Sequence, residues 1–181
     1  MRNGRVAPRR FEIEPAKIAP VLPETFIAEG AGRFRCRFRL AGTKICEQFG
    51  RELRGADFLT LWDAADRESL ATLLHNVFGD AAVGYGRFRG HTGSGRQAEF
   101  EFVLLPLIHG GEAINRILGA ISAIDPPFWL GAEPLERQDL LELNLHWPDG
   151  VPAFMAGGGA EVISLARRRF RLLAGGLADP E

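Results

Sequence analysis

Arg33-Phe34-Arg35-Cys36-Arg37-Phe38-Arg39-Leu40 alternates basic and apolar residues without a break. A period of two marks a half-buried β-strand, because successive side chains leave a strand on opposite faces. Phe34, Cys36, Phe38 and Leu40 are therefore expected to face a core, with Arg33, Arg35, Arg37 and Arg39 on the other side. Residues 25–29 just upstream are short and β-prone. Gly30-Ala31-Gly32 between the two segments reads as a tight turn, so together they predict a hairpin.

Upstream, residues 1–24 are polar and hold Pro8, Pro15, Pro20 and Pro23, which predicts an arm with one helical turn around 16–19. Downstream, Gly42, Gly50 and Gly55 cut residues 41–60 into several single-turn helices. Residues 63–78 form the best helix. Leu70, Leu73, Leu74, Val77 and Phe78 recur at helical spacing and lay down one apolar stripe. Asp63 or Asp66 is placed to cap its start and Gly79 to end it in the left-handed conformation.

Period two then returns. Residues 83–89, 97–108 and 114–124 predict three strands, joined by turns at 90–95 and at His109-Gly110-Gly111. On the long middle strand, Ala98, Phe100, Phe102 and Leu104 share a face. Arg87 and Arg89 are set to oppose Glu99 and Glu101 across the hairpin. Beyond Asp125-Pro126-Pro127 the pattern weakens. Phe128, Trp129 and Trp147 predict apolar anchors, residues 134–145 a short helix, and residues 160–173 an apolar and basic tail containing Arg167-Arg168-Arg169. Two strands, short helices, one good helix and three strands permit an α+β fold with one antiparallel sheet and helices on one face.

Phe38-Arg39-Leu40-Ala41-Gly42-Thr43, followed by Phe49-Gly50-Arg51-Glu52-Leu53-Arg54-Gly55, resembles the second-strand and first-helix signature of a family of bacterial stand-alone PAS proteins. Gly4-Arg5-Val6-Ala7-Pro8-Arg9-Arg10 with Pro15 is similar to that family's leading arm. Glu101-Phe102-Val103-Leu104-Leu105-Pro106-Leu107 and Arg116-Ile117-Leu118-Gly119 resemble its last two strands. The likeness covers roughly residues 3–131. It implies a five-stranded antiparallel sheet in spatial order 2-1-5-4-3 with helices across one face. It also implies a role in signal transduction through a ligand or a partner protein, and names no ligand. The chain divides accordingly into an arm (1–24), a PAS domain (25–131) and a C-terminal extension (132–181) that packs on the domain or trails it.

A net charge of −1 over 181 residues argues against a generally basic nucleic-acid binder. Two cysteines, Cys36 and Cys46, with no C-x-x-C, exclude a zinc site built on cysteine pairs. Apolar runs are far shorter than the roughly 20 residues of a membrane helix. The first 11 residues lack an apolar signal region, so a cytoplasmic protein is expected.

Gly90-His91-Thr92-Gly93-Ser94-Gly95-Arg96-Gln97 misses the phosphate-binding loop, because Arg96 and Gln97 stand where Lys and Ser/Thr are needed and a strand follows. His75, His91, His109 and His146 show no metal-ligand spacing. No enzyme constellation is legible. The reading is a non-catalytic sensory or regulatory module with no assigned cofactor, leaving room for a small ligand in the core. That pocket would be lined by Phe38, Leu53, Phe58, Leu74, Phe78, Phe102 and Leu104, while Trp62 is read as core packing. Arg33, Arg35, Arg37 and Arg39 are candidates for contact with an anion or an acidic partner, since guanidinium binds carboxylate and phosphate in bidentate fashion. Output is expected to pass to another signalling protein; a homodimer is compatible, and nucleic acid is not expected. The alternatives are a haem sensor using His75 and, behind it, a small hydrolase or transferase.

Overall fold

Strand formation in this chain follows the alternation closely where pairing is regular and departs from it where one strand carries an extra residue. A computed structural model describes residues 4–30, 35–148, 150, 164, 165 and 168–173. Phe34, Arg33 and the Ala31-Gly32 turn lie outside the described residues, as does Arg167. The strands are β1 (Thr25–Gly30), β2 (Cys36–Ala41), β3 (Val83–Thr92), β4 (Gln97–Ile108), β5 (Ile114–Ile124), β6 (Leu135–His146), β7 (Ser164–Leu165) and β8 (Arg168–Leu173). Helices α1 (Thr43–Gln48) and α2 (Ala64–Gly79) have one short 3-10 turn, Phe58–Leu61, between them.

The sheet order is β2-β1-β5-β4-β3-β6-β8-β7. Its first five strands give the expected 2-1-5-4-3 arrangement, all antiparallel, so the PAS-like α+β architecture holds. One face is covered by α1, α2 and the turn between them. Phe26, Phe38, Phe88, Phe100, Phe102 and Leu104 from the sheet meet Leu53, Phe58, Leu70 and Leu73 there, all of them buried. Burying a large apolar side chain stabilises a fold by about 1.5–3 kcal/mol, so this layer dominates. Gly119 is required beneath it: a Cβ at that position would sit 2.1 Å from the Phe26 ring.

Three expectations are corrected. Residues 134–145 do not contain a helix; Leu135–His146 is a 12-residue strand that pairs along all of β3. Its inward residues are Leu135, Gln138, Leu140, Leu143 and Leu145, at spacings of three, two, three and two. Extra residues at Glu136 and Leu141 cause this, because each opposes no partner where the register shifts. Leu40 does not face the core but is 51% exposed. Arg39 is the extra residue where β2 slips against β1, and the slip turns Leu40 outward. Finally, Gly79 does not carry the left-handed turn after α2; Ala81 does, at φ 53°.

Strand β6 is held by more than its ladder. Asp66, at the start of α2, is buried and its Oδ2 accepts the Leu140 backbone N–H at 3.0 Å. Next to Leu140, His91 Nε2 lies 2.8 Å from Asp139 Oδ2, and just before the strand begins Ser94 donates to Glu133 Oε2 at 2.5 Å. In the Gly90–Gln97 segment that missed the phosphate-loop pattern, Gly90–Thr92 end β3 and Gln97 starts β4, and the turn between them is closed by Gly95 N–H donating to Thr92 O at 3.0 Å.

Candidate functional site

Two regions gather the residues singled out in the sequence. The first is the aromatic core between sheet and helices. Phe38, Leu53, Phe58, Leu74, Phe102 and Leu104 are all buried in it, and Phe78 is half-buried at its margin beside Gly30. Phe38 and Phe58 ring centroids are 6.0 Å apart, and Phe58 and Phe102 6.1 Å, in tilted and edge-on arrangements. Such geometry is attractive because ring edges are positive and faces negative.

Trp62 stands in the middle of this group, 5.1 Å from Phe88, 5.7 Å from Phe102 and 5.8 Å from Phe58. Its indole Nε1 is buried and has no hydrogen-bond partner among the described residues. A buried donor without an acceptor costs roughly 1–3 kcal/mol, and among the described residues the core holds a second such donor, the indole Nε1 of Trp147.

The second region is the exposed edge formed by β2. Arg35, Arg37 and Arg39 are exposed. Arg39 Nε lies 2.5 Å from Glu29 Oε2, and Arg116 Nη1 lies 2.8 Å from Glu29 Oε1, so one carboxylate is shared by two guanidiniums. Arg35 and Arg37 make no ion pair among the described residues. The backbone of the edge is partly occupied: Phe38 N–H donates to Ala56 O at 2.9 Å and Gly55 N–H to Phe38 O at 2.7 Å. What this edge offers a partner is therefore its side chains rather than an open ladder.

The β3–β4 arginines behave differently. Arg87 and Arg89 both reach Glu99, at 2.8 and 2.7 Å, although the ladder sets Arg87 opposite Glu101. Glu101 instead accepts from Tyr85 Oη at 3.1 Å. The Arg89 hydrogen bond, with Arg87 alongside, holds the Glu99 carboxyl below its ordinary range. Burial pushes the Cys36 thiol up to about 12, with Asp57 adding to the effect.

His75 is exposed on α2, away from the buried stripe of Leu70, Leu73, Leu74 and Val77. Among the described residues, no three His, Cys, Asp or Glu side chains are grouped to hold a metal ion. Sequence reading missed Trp62 as an orphaned donor and Gln48 as a buried polar group. Gln48 follows Ile45 by three residues and so shares its face of α1, and that spacing is the signal that a polar side chain had been turned inward.

A family described as PAS domain matches residues 1–122. No curated protein matches the chain. Among solved structures, the PAS domain of a protein from Colwellia psychrerythraea is similar at 14% identity and a TM-score of 0.44, over 60% of this chain and 95% of that one.

Proposed function

This chain belongs to the PAS domain family, and from that premise we propose that it is a non-catalytic signalling module that acts by docking an acidic partner protein on the β2 edge. PAS domains are in general sensory and regulatory modules. The observation that carries the finer reading is the exposure of Arg35 and Arg37 with no ion pair among the described residues. Arg37 is fixed on β2 and Arg35 immediately precedes that strand, so two uncompensated guanidiniums one alternation apart are available for carboxylates on a partner. Signalling then consists of a shift between two conformations that the partner binds unequally.

The test is chemical cross-linking in a lysate of the cells that make the protein, followed by purified pairwise binding with each candidate. R35E/R37E is expected to weaken the true partner at least about tenfold and to flatten its salt dependence, with the melting temperature unchanged. Equal affinity of wild type and the double variant refutes the assignment.

A small ligand in the core is the second part of the reading, and the orphaned Trp62 N–H supports it. An occupant with an oxygen acceptor would satisfy that donor. Native mass spectrometry is expected to show a mass excess that denaturation removes. A native mass equal to the bare chain refutes this part alone. The haem reading draws no support from the position of His75.

A further inference from the structure

A cleft of about 190 Å³ lies outside the aromatic core, where the end of the N-terminal arm, α1 and the β5–β6 connection meet. Its polar side is made by Glu24, Lys44, Glu47 and Gln48. Glu24 is already engaged, receiving Lys44 Nζ at 2.9 Å on one oxygen and Ser122 Oγ at 3.0 Å on the other. The other two groups are not. Glu47 is exposed and its carboxylate makes no ion pair among the described residues. Gln48 is only 5% exposed, and its Oε1 is buried with no hydrogen-bond partner among the described residues. Pro126, Pro127 and Leu130 line the same cleft.

We propose that this cleft is a binding site for a small alkylammonium-type cation. Three observations converge on that chemistry. Gln48 Oε1 can only accept, so the missing partner is an N–H or O–H donor. The lining holds two carboxylates and one ammonium, a net charge of −1 that favours a cation. Pro126, Pro127 and Leu130 add apolar lining suited to a short hydrocarbon chain. The ammonium donates to Gln48 Oε1 and sits within the field of Glu47, while its hydrocarbon part rests on Pro126, Pro127 and Leu130. Occupation would tie the arm, α1 and the segment leading into β6 together. The cleft is separate from the β2 edge and from the core, so this inference does not rest on the function proposed above.

The experiment is an NMR titration of the isotopically labelled full chain with n-butylammonium chloride, run beside sodium chloride at the same ionic strength and beside n-butanol. Saturable shifts are expected at the Gln48 side-chain amide and at the Ala123, Leu130 and Gly131 backbone amides, with butylammonium only. Q48L is expected to lower the affinity at least about tenfold, as befits a lost hydrogen bond to a charged group. E47Q, at an exposed position that leaves folding intact, is expected to lower it about two- to fivefold. Three results overturn the proposal. One is the absence of saturable shifts. Another is a long-lived water detected at Gln48 that butylammonium does not displace. The third is equal binding by wild type and E47Q together with equal shifts from butanol, which would make the cleft an apolar one.

Discussion

Removing the Asp66 carboxylate tests whether β6 is an integral strand of this domain. Asp66 lies in the first turn of α2, and its Oδ2 accepts the N–H of Leu140 at 3.0 Å; Leu140 is 1% exposed. In D66A that amide is stranded away from water. A stranded buried donor costs about 1–3 kcal/mol, and bonds to charged groups fall near the top of that range, at about 1.5–3 kcal/mol. For a domain of this size, 1 kcal/mol moves the melting temperature by about 2–4 °C, so D66A should melt about 3–12 °C lower. D66N keeps an acceptor in place and should lose roughly half as much, since charge-assisted bonds are about twice as strong as neutral ones. Calorimetry reads the global effect. Amide hydrogen exchange at Leu140 reads the local one, where a loss of about 2 kcal/mol corresponds to roughly thirtyfold faster exchange. If D66A melts within about 1 °C of wild type, a small fraction of what a stranded amide predicts, and Leu140 exchange is unchanged, the coupling of α2 to β6 is refuted.

Two further outcomes follow from the ionisable groups. Glu99 is held below its ordinary value of 4.5 by its hydrogen bond to Arg89, with Arg87 adding to the field. The stabilisation is present in full above the ordinary value and fades as pH falls through the depressed one. E99Q should therefore flatten the acid limb of melting temperature against pH; an unchanged limb would show that the Arg89 pairing contributes nothing. Cys36, buried and with its thiol pushed up to about 12, should resist maleimide in the native state, while half-buried Cys46 reacts. One label per native chain, lost in C46S, is expected; two labels would mean that the β2 core face opens readily.

The central strands were legible because their pairing is regular. Phe100, Phe102 and Leu104 alternate inward along β4 as the period-two pattern requires, and the predicted bounds of that strand and of β5 match those observed. Where a bulge intervenes, periodicity misleads. Leu40 reads as a core residue by parity and is exposed because Arg39 is the unpaired residue of a register shift. The same device hid β6. Two extra residues space its inward side chains as three, two, three and two, and Leu, Glu and Gln in that register resemble a helix face. A bulge depends on the partner strand, which lies far away in sequence, so no local pattern could reveal it.

The candidate sites divide along the same physical line. Residues of one strand can be read together, and Arg37 and Arg39 are exposed on β2, with Arg35 exposed just before it, as the alternation implied. Clefts assembled from distant segments cannot. Glu24, Lys44 and Pro126 come within one cleft only after β1 and β5 have paired and α1 has folded back against the arm. What survives in the sequence is the anomaly each site leaves behind in a single element. Gln48 on the buried face of a six-residue helix is one such anomaly, and Trp62 among phenylalanines with its N–H unmatched is another. Both are polar groups buried where an apolar side chain of similar size would cost less, so each either stands unsatisfied or is satisfied by an occupant. The two are distinguishable by substitution: Q48L and W62F should each stabilise a protein in which the group is merely unsatisfied, and destabilise one in which an occupant satisfies it.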